Sequence, residues 1–439
     1  MNKQLYIIRE YGFFYKEMSN INIEKLTSEG HVALPNDVFD YLETFILSNY
    51  DKHNYFMQIV YKKGIGKIIK AKNYVGTIKT PNGIVIEILP KIYLRDKEKS
   101  YNNTKKLLID MLKCVNDIPF KNLSMSNLST DNSNILDIFI NMFLDEISKL
   151  IKKTLKSSYV QDEGNLNYLK GKLLIGKHIS KNIIRKDKFY MQFDEYNNNI
   201  PENRILKSTL LKLSRITSNL TIQNRIRTYL CAFLEIKAST NYEMDFAKCT
   251  SNRLMHDYKL CLEWSKIFLT NKGFTIYNGE SKAYSLLYQM DKIFESYIAS
   301  NIRKSSLFSE FCVIVQTKKY TTKYLFDEPK KFRLKPDIII QNEKEKIVLD
   351  TKWKKLYNDT NKNYGISQVD MYQMYAYAKK YDVKKVILIY PYTEETEYIM
   401  KNNNYENLIY KSNDGVSIQI FFFNIEFLKN SLKELRDIL

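Results

Sequence analysis

At 439 residues the chain is too long for one ordinary hydrophobic core, so two or three domains are expected. A hydrophobic content of 44%, with 13% aromatic, excludes a chain disordered throughout. The formal net charge of +19 points to a polyanionic partner, nucleic acid first and an anionic membrane surface second. The plainer source of that charge is a composition rich in Lys, Asn, Ile and Tyr, as AT-rich genomes encode.

The first 95 or so residues lean to strand. YFMQIVYKK, KNYVGTIKT and GIVIEILPKIYL are short β-rich runs punctuated by Gly64, Gly66, Gly76 and the Pro81-Asn82-Gly83 turn. NLSMSNLSTDNSN, Asn122 to Asn134, reads as a linker. The period then becomes helical: Ile135, Phe139, Met142, Phe143, Ile147, Ile151 and Leu155 share one face. Further helices are expected over Asn203–Thr217, Arg225–Glu235 and Asp257–Leu269. In the last third a long helix from Ala283 to about Lys304 precedes strands near Phe311–Gln316 and Tyr320–Phe326. A hairpin follows, then a helix from Ser367 to Lys380, the strands KKVILIYPY and VSIQIFFF, and a terminal helix. The expected architecture is a multidomain α/β protein: a β-rich N-terminal region over 1–130, a helical middle over 131–275, and a mixed α/β domain over 276–439.

The five cysteines are scattered and never form a CxxC pair, which suits reduced thiols, and the four histidines show no zinc spacing. The start MNKQLYIIREYGFF lacks the apolar core of a signal peptide, and no run reaches the roughly 18 apolar residues of a membrane span. A cytoplasmic location is expected.

The chemistry concentrates in RLKPDIIIQNEKEKIVLDTKWKKL, Arg333 to Leu356. Ile338–Ile340 and Ile347–Leu349 are aliphatic runs around the charged turn Asn342-Glu343-Lys344-Glu345. If that turn is a four-residue loop, Gln341 faces Lys346, and counting outward sets Asp337 opposite Asp350. Like charges opposed on a sheet are destabilising, so the pair asks for a cation. Side chains alternate along a strand, so Asp350 and Lys352 share a face and Thr351 points away. Two carboxylates and an ammonium suit phosphodiester hydrolysis, with Mg²⁺ as the hard cation that oxygen ligands favour. Lys352 could then orient water or neutralise charge on the phosphate. This is the PD-(D/E)xK pattern. The tripeptide alone is unspecific in a Lys-rich chain, since Glu235-Ile236-Lys237 and Asp257-Tyr258-Lys259 also fit, but Pro-Asp occurs once. The competing reading is an edge hairpin capped by surface charges.

Two neighbours extend the set. Asp291 and Glu295 lie four apart on the preceding helix, and Glu295 is a candidate third carboxylate; a solvated helix face is the duller alternative. In SQVDMYQMYAYAKKY, which also holds Gln368, Gln373 and Tyr377 put an amide and a phenol on one face; a buried aromatic stripe is the alternative there. Gly171 to His178 fits GxxxxGK, yet His178 stands where a P-loop needs Ser or Thr, and the interior Lys-Leu-Leu-Ile is apolar. No nucleotide site is assigned to it.

Taken together, GIVIEILPKI, NYLKGKLLIGKHISKN, FDEYNNNIPENRILK, MDKIFESYI, PDIII, LDTKWKKL and YGISQVDMYQMYAYA, in that order, resemble the McrC family. Members are nuclease subunits of McrBC modification-dependent restriction systems. The resemblance implies an N-terminal portion that engages a partner and a C-terminal PD-(D/E)xK endonuclease domain. It implies an McrB-like AAA+ GTPase ring as partner, which reads methylated cytosine, binds the GTP and is stimulated by this subunit. Double-stranded DNA is the implied substrate. Asp337, Asp350 and Lys352 match the family's catalytic positions, with Glu295 and Gln373 as further candidates and Asp337, Asp350 and Glu295 as the metal ligands. A self-sufficient restriction nuclease and a catalytically silent activator of the ring are the alternatives.

Overall fold

Alternating apolar residues in short runs make two small sheets at the start of the chain. The structure is a computed structural model that describes residues 5–17, 30–48, 56–80, 82–91, 100–115, 134–249, 253–270, 284–315, 322–402 and 408–439. The expected linker therefore lies, Asn134 apart, outside the described residues. The strands are β1 (Leu5–Arg9), β2 (Phe13–Lys16), β3 (Val32–Leu34), β4 (Met57–Lys62), β5 (Gly66–Ala71), β6 (Tyr74–Lys79) and β7 (Val85–Leu89). One sheet runs β3-β2-β5-β4, and the other begins β1-β7-β6. The helix Asn36–Ser48 closes them, its buried stripe Val38, Phe39, Leu42, Phe45 and Ile46 joining one core with Phe14, Ile69 and Ile88.

Glu87, the acid of EILPK, is fully buried on β7. Its partner is the buried ammonium of Lys105, 3.4 Å away on the helix Ser100–Leu112, and it also accepts from Tyr101 and from the Ile135 N–H. A buried charge is tolerable only when paired and hydrogen-bonded, so this block is structural.

The middle is helical but not only so. The helices Ile135–Lys152, Pro201–Ile216, Leu220–Leu230 and Lys259–Thr270 appear close to the expected places. Between them stands a sheet that the sequence pattern did not suggest: β8 (Ser158–Leu166), β9 (Lys172–Leu173) and β10 (Phe189–Asn197), in the order β8-β10-β9. β8 is mostly exposed and β10 mostly half-buried, and both carry Gln, Asp, Glu and Asn, so no apolar alternation announced them. Lys172–Leu173 is paired strand and Ile175–Asn182 is helix, so the GxxxxGK stretch forms no loop that bares its amides to a phosphate. The NIPENRILK block fastens this sheet to the helices. Asn203 donates to the carbonyls of Lys156 (3.0 Å) and Asn198 (2.7 Å) and accepts from the Tyr258 hydroxyl (2.9 Å), while Arg204 grips Asp245 through two bonds.

The long helix expected from Ala283 starts later. Tyr284–Gln289 is a strand, β11, that pairs antiparallel with β6 and completes the N-terminal sheet across the 276 boundary. Nearly all of its side chains are buried, so its apolar run carried neither period. Gly76 makes the pairing possible: its φ is +134°, and a Cβ there would stand 2.0 Å from the Leu286 carbonyl oxygen. The helix proper is Met290–Lys304.

The rest is β12 (Cys312–Val315), β13 (Lys323–Phe326), β14 (Lys331–Leu334), β15 (Ile338–Gln341), β16 (Lys346–Thr351), β17 (Lys385–Pro391), β18 (Ile409–Lys411) and β19 (Ser417–Phe423). Six of these form a mixed sheet, β12-β15-β16-β17-β19-β18, while β13 and β14 form a separate ribbon. Alternation splits the sheet cleanly. Ile338, Ile340, Ile347 and Leu349 join the core with the Met290–Lys304 helix, and Ile339 and Val348 join the core under the helix Gln368–Tyr381. A sheet between helix layers, joined to a β-rich N-terminal region, is a multidomain α/β architecture. Among the described residues, no helix is long and apolar enough to cross a membrane.

Candidate active site

The hairpin register follows the expected count. Gln341 pairs with Lys346, and Ile338 with Leu349, so Asp337 and Asp350 come next, just beyond the ladder on the side away from the turn. Asp350 is 1% exposed. It shares the face of Val348, and Lys352 beyond it donates to Asp350 Oδ2 at 2.5 Å and to Gln373 Oε1 at 3.2 Å. Gln373 Nε2 in turn donates to the Tyr377 hydroxyl (2.7 Å), which donates to the Lys335 carbonyl (3.0 Å). The amide therefore holds the ammonium, and the phenol holds the amide.

Asp337 is held differently. Its Oδ2 accepts from both the N–H and the hydroxyl of Thr351, each at 2.7 Å. The sequence reading left Thr351 out because it sits on the other face from Asp350, yet it anchors the opposing carboxylate. These bonds leave the Oδ1 atoms of Asp337 and Asp350 uncommitted to Thr351 or Lys352.

Burial, then the charge of Asp337, pushes the Asp350 carboxyl far above the ordinary range even with the Lys352 ammonium beside it. Burial also raises Asp337, against the Thr351 hydrogen bonds and the Lys352 charge. For Lys352, burial works against the ammonium, but Asp350 and Asp337 outweigh it and raise the pKa. A cation between two carboxylates that resist ionising together would ease their repulsion. Two oxygen ligands, with water and a phosphate completing the shell, suit Mg²⁺. Among the described residues, no group of three acidic, imidazole or thiol side chains forms a ready metal cage.

Glu295 is the third candidate carboxylate. It lies on the Met290–Lys304 helix, which covers the face opposite to Asp350 and Lys352, and lines a cavity of about 670 Å³ with Asp110, Lys113 and Arg303. It raises Asp350 electrostatically but is the weakest of the causes named for that group. Asp291, one turn earlier, accepts from Asn73 Nδ2 at 2.7 Å, tying the helix to the N-terminal sheet.

The N-terminal sheet also reaches the hairpin, which no local pattern indicated. Trp353, directly after Lys352, is 2% exposed and packs on Phe294 with centroids 5.1 Å apart. Its Nε1 donates to Glu10 Oε2 at 2.9 Å, its carbonyl accepts from Lys91 Nζ at 2.8 Å, and the Lys91 N–H donates to the same Glu10 oxygen at 3.0 Å. Glu10 Oε1 is buried with no partner among the described residues. Burial therefore pushes Glu10 up to about 7, against the pull of Lys91 and Trp353. A carboxyl raised on folding contributes stability at low pH that is lost as pH rises through about 7. Glu10→Gln should match wild type below pH 4 and be more stable by on the order of 3 kcal/mol above pH 7. Urea melts across that range check this; a constant difference at all pH values would refute it.

A mixed sheet between helix layers, with two opposed carboxylates and a lysine at the open end of its central hairpin, defines a multidomain α/β protein with an acidic, lysine-neutralised site. The sequence profile of the family described as McrBC 5-methylcytosine restriction system component matches residues 69–391, and the chain belongs to that family. The resemblance read from EILPK, the NIPENRILK block and the hairpin motifs thus holds.

Two solved structures are similar. One is a chain of the "Refined half-complex from tetradecameric assembly of Thermococcus gammatolerans McrB AAA+ hexamers with bound McrC", 17% identical, over 99% of this chain and 100% of that one, at a TM-score of 0.64. The other is a chain of the "Cryo-EM structure of the Thermococcus gammatolerans McrBC complex", 17% identical, over 68% of this chain and 87% of that one, at 0.42. No curated protein matches.

Proposed function

We propose that this chain is the Mg²⁺-dependent DNA endonuclease subunit of an McrBC-type restriction complex, with a PD-(D/E)xK domain at its C-terminal end. It cuts modified duplex DNA in the cytoplasm and stimulates an AAA+ GTPase ring that binds the GTP and reads the modified cytosine. The observation that carries this reading is the Asp337–Asp350–Lys352 cluster braced by Gln373. Family membership supports it, as does the likeness to a structure described as McrB hexamers with bound McrC.

Asp337 and Asp350 would hold the metal, with Glu295 on the Met290–Lys304 helix as the third candidate ligand. When bound, Mg²⁺ supplies Lewis-acid polarisation of the phosphodiester and eases ionisation of the attacking water. Thr351 fixes the Asp337 carboxylate, so that ligand is ordered before metal arrives. Lys352, kept protonated by its carboxylate neighbours, places a positive charge where the phosphate gains negative charge in the transition state. Gln373 and Tyr377 keep that ammonium in place at the floor of the site.

The test is nicking of supercoiled methylated DNA with Mg²⁺, wild type against Asp350→Ala, each with and without a co-expressed McrB-type ring and GTP. Cutting that needs ring, GTP and Asp350 supports the proposal. Asp350-dependent cutting by the chain alone would make it a self-sufficient nuclease. No Asp350-dependent cutting, with GTPase stimulation intact, would leave it a silent activator.

A further inference from the structure

The β13–β14 ribbon stands outside the six-stranded sheet and ends directly before Pro336-Asp337. It exposes an aromatic pair. Phe326 is 54% and Phe332 68% exposed, with ring centroids 5.8 Å apart, edge to face. Lys323, Lys330, Lys331, Arg333 and Lys335 around them are all exposed, against Asp327 and Glu328. Of the two acids, Asp327 is already paired with Lys380 at 2.8 Å.

Phe332 is also strained. The ladder runs Lys323–Leu334, Tyr324–Arg333 and Phe326–Lys331 but skips the Leu325–Phe332 position, and there Phe332 has φ of 57°. A bulky residue in the left-handed region is strained and persists only where its surroundings hold it. Glycine would occupy that conformation without strain.

The ribbon's base is clamped to the site. The Tyr377 hydroxyl, which also receives Gln373, donates to the Lys335 carbonyl, and the Tyr381 hydroxyl donates to that of Leu334 at 3.3 Å. From Leu334 to Asp337 the chain spans at most about 10 Å, less than the roughly 12 Å width of a single major groove. A duplex whose phosphate sits at Asp337 and Asp350 would therefore lie close to the base of this ribbon.

We propose that the β13–β14 ribbon is a DNA-binding device of this chain: its lysines hold phosphates flanking the cut, and the Phe326–Phe332 pair enters a groove or an opened base step. The proposal rests on the nuclease reading for its placement beside the cut. A two-stranded ribbon fits the major groove, and apolar wedges ringed by basic residues are a means of gripping a deformed duplex. A protein-docking hot spot is the less fitting alternative, because lysine is depleted from the cores of such interfaces.

The experiment measures duplex binding by fluorescence anisotropy, using the full chain in EDTA at several salt concentrations, alongside thermal melts. Phe332→Gly should melt at or above the wild-type temperature while binding falls at least fivefold, on the order of one lost stacking contact. Lys330→Ala/Lys331→Ala should flatten the slope of log affinity against log salt by about one per lysine. The nuclease reading fails separately, if wild-type nicking does not depend on Asp350, whatever the ribbon variants do. Wild-type affinity and slope in both ribbon variants would overturn the proposal, as would a wild-type chain that binds no duplex. Loss of ring assembly or self-association in sedimentation runs, with duplex binding intact, would overturn it in favour of a protein contact.

Discussion

Asp350→Asn is expected to abolish cleavage and, at the same time, to make the metal-free protein more stable. The first half follows from the proposed role of Asp350 as a metal ligand at the phosphate, for which a fall of at least about 10³-fold in nicking rate is expected. The second half follows from the environment of the side chain. Asp350 is 1% exposed, and burial and Asp337 raise its pKa even after the Lys352 ammonium is counted. Its ionised form is therefore less favourable folded than unfolded. Such a group contributes stability below the ordinary carboxylate range that is lost as pH rises through the raised folded value. Asparagine resembles the protonated acid and still accepts from Lys352, so it escapes that loss. Melts in EDTA should show no difference near pH 4 and a gain on the order of 2 kcal/mol at pH 8. Added Mg²⁺ should stabilise the wild type and leave the variant where it was. An Asn variant less stable than wild type at pH 8 would show that the ion pair with Lys352 outweighs the repulsion.

The cluster was legible because its information is local. A four-residue turn and a period of two were enough to place Asp337 beside Asp350 and to put Lys352 on the same face. Gln373 and Tyr377 were legible for the same reason, since a spacing of four fixes a shared helix face. Nothing local records how Glu10 meets Trp353, which are separated by most of the chain and joined only by the way β1 and β7 dock on the hairpin. β11 was hidden by burial on both faces, which erases either period, and β8 and β10 by their polar residues and incomplete burial, which do the same from the opposite side. Glu295 was legible only in part. Its spacing from Asp291 is sound, but which face of the sheet its helix would cover is a tertiary fact, and that face is the one opposite Asp350.

Trp353→Ala is expected to be the most destabilising of these single changes, at about 3–5 kcal/mol, because it empties a buried indole's volume. It also takes the Nε1–H from Glu10, whose other oxygen already lacks a partner among the described residues. Trp353→Phe separates the two effects: the ring stays against Phe294 while the donor is lost, leaving the Lys91 N–H on Glu10 Oε2. That variant should lose about 1–3 kcal/mol, the range for a buried polar group left short of a partner. In the background of Glu10→Gln the cost should shrink by more than about 0.5 kcal/mol, since residues in direct contact do not act additively. Because Trp353 follows Lys352 and is pinned at both its indole and its carbonyl, a relaxed indole also lets the ammonium drift from the phosphate. Misplacement of about 1 Å costs on the order of 10²-fold in rate. Nicking measured well below the melting temperature should therefore fall in Trp353→Phe although the chain is folded. Wild-type nicking in that variant would reduce the Glu10–Trp353 contact to a structural fastening. A fall would mean that the N-terminal sheet sets the position of Lys352, so that whatever grips that sheet can reach the proposed site through one indole.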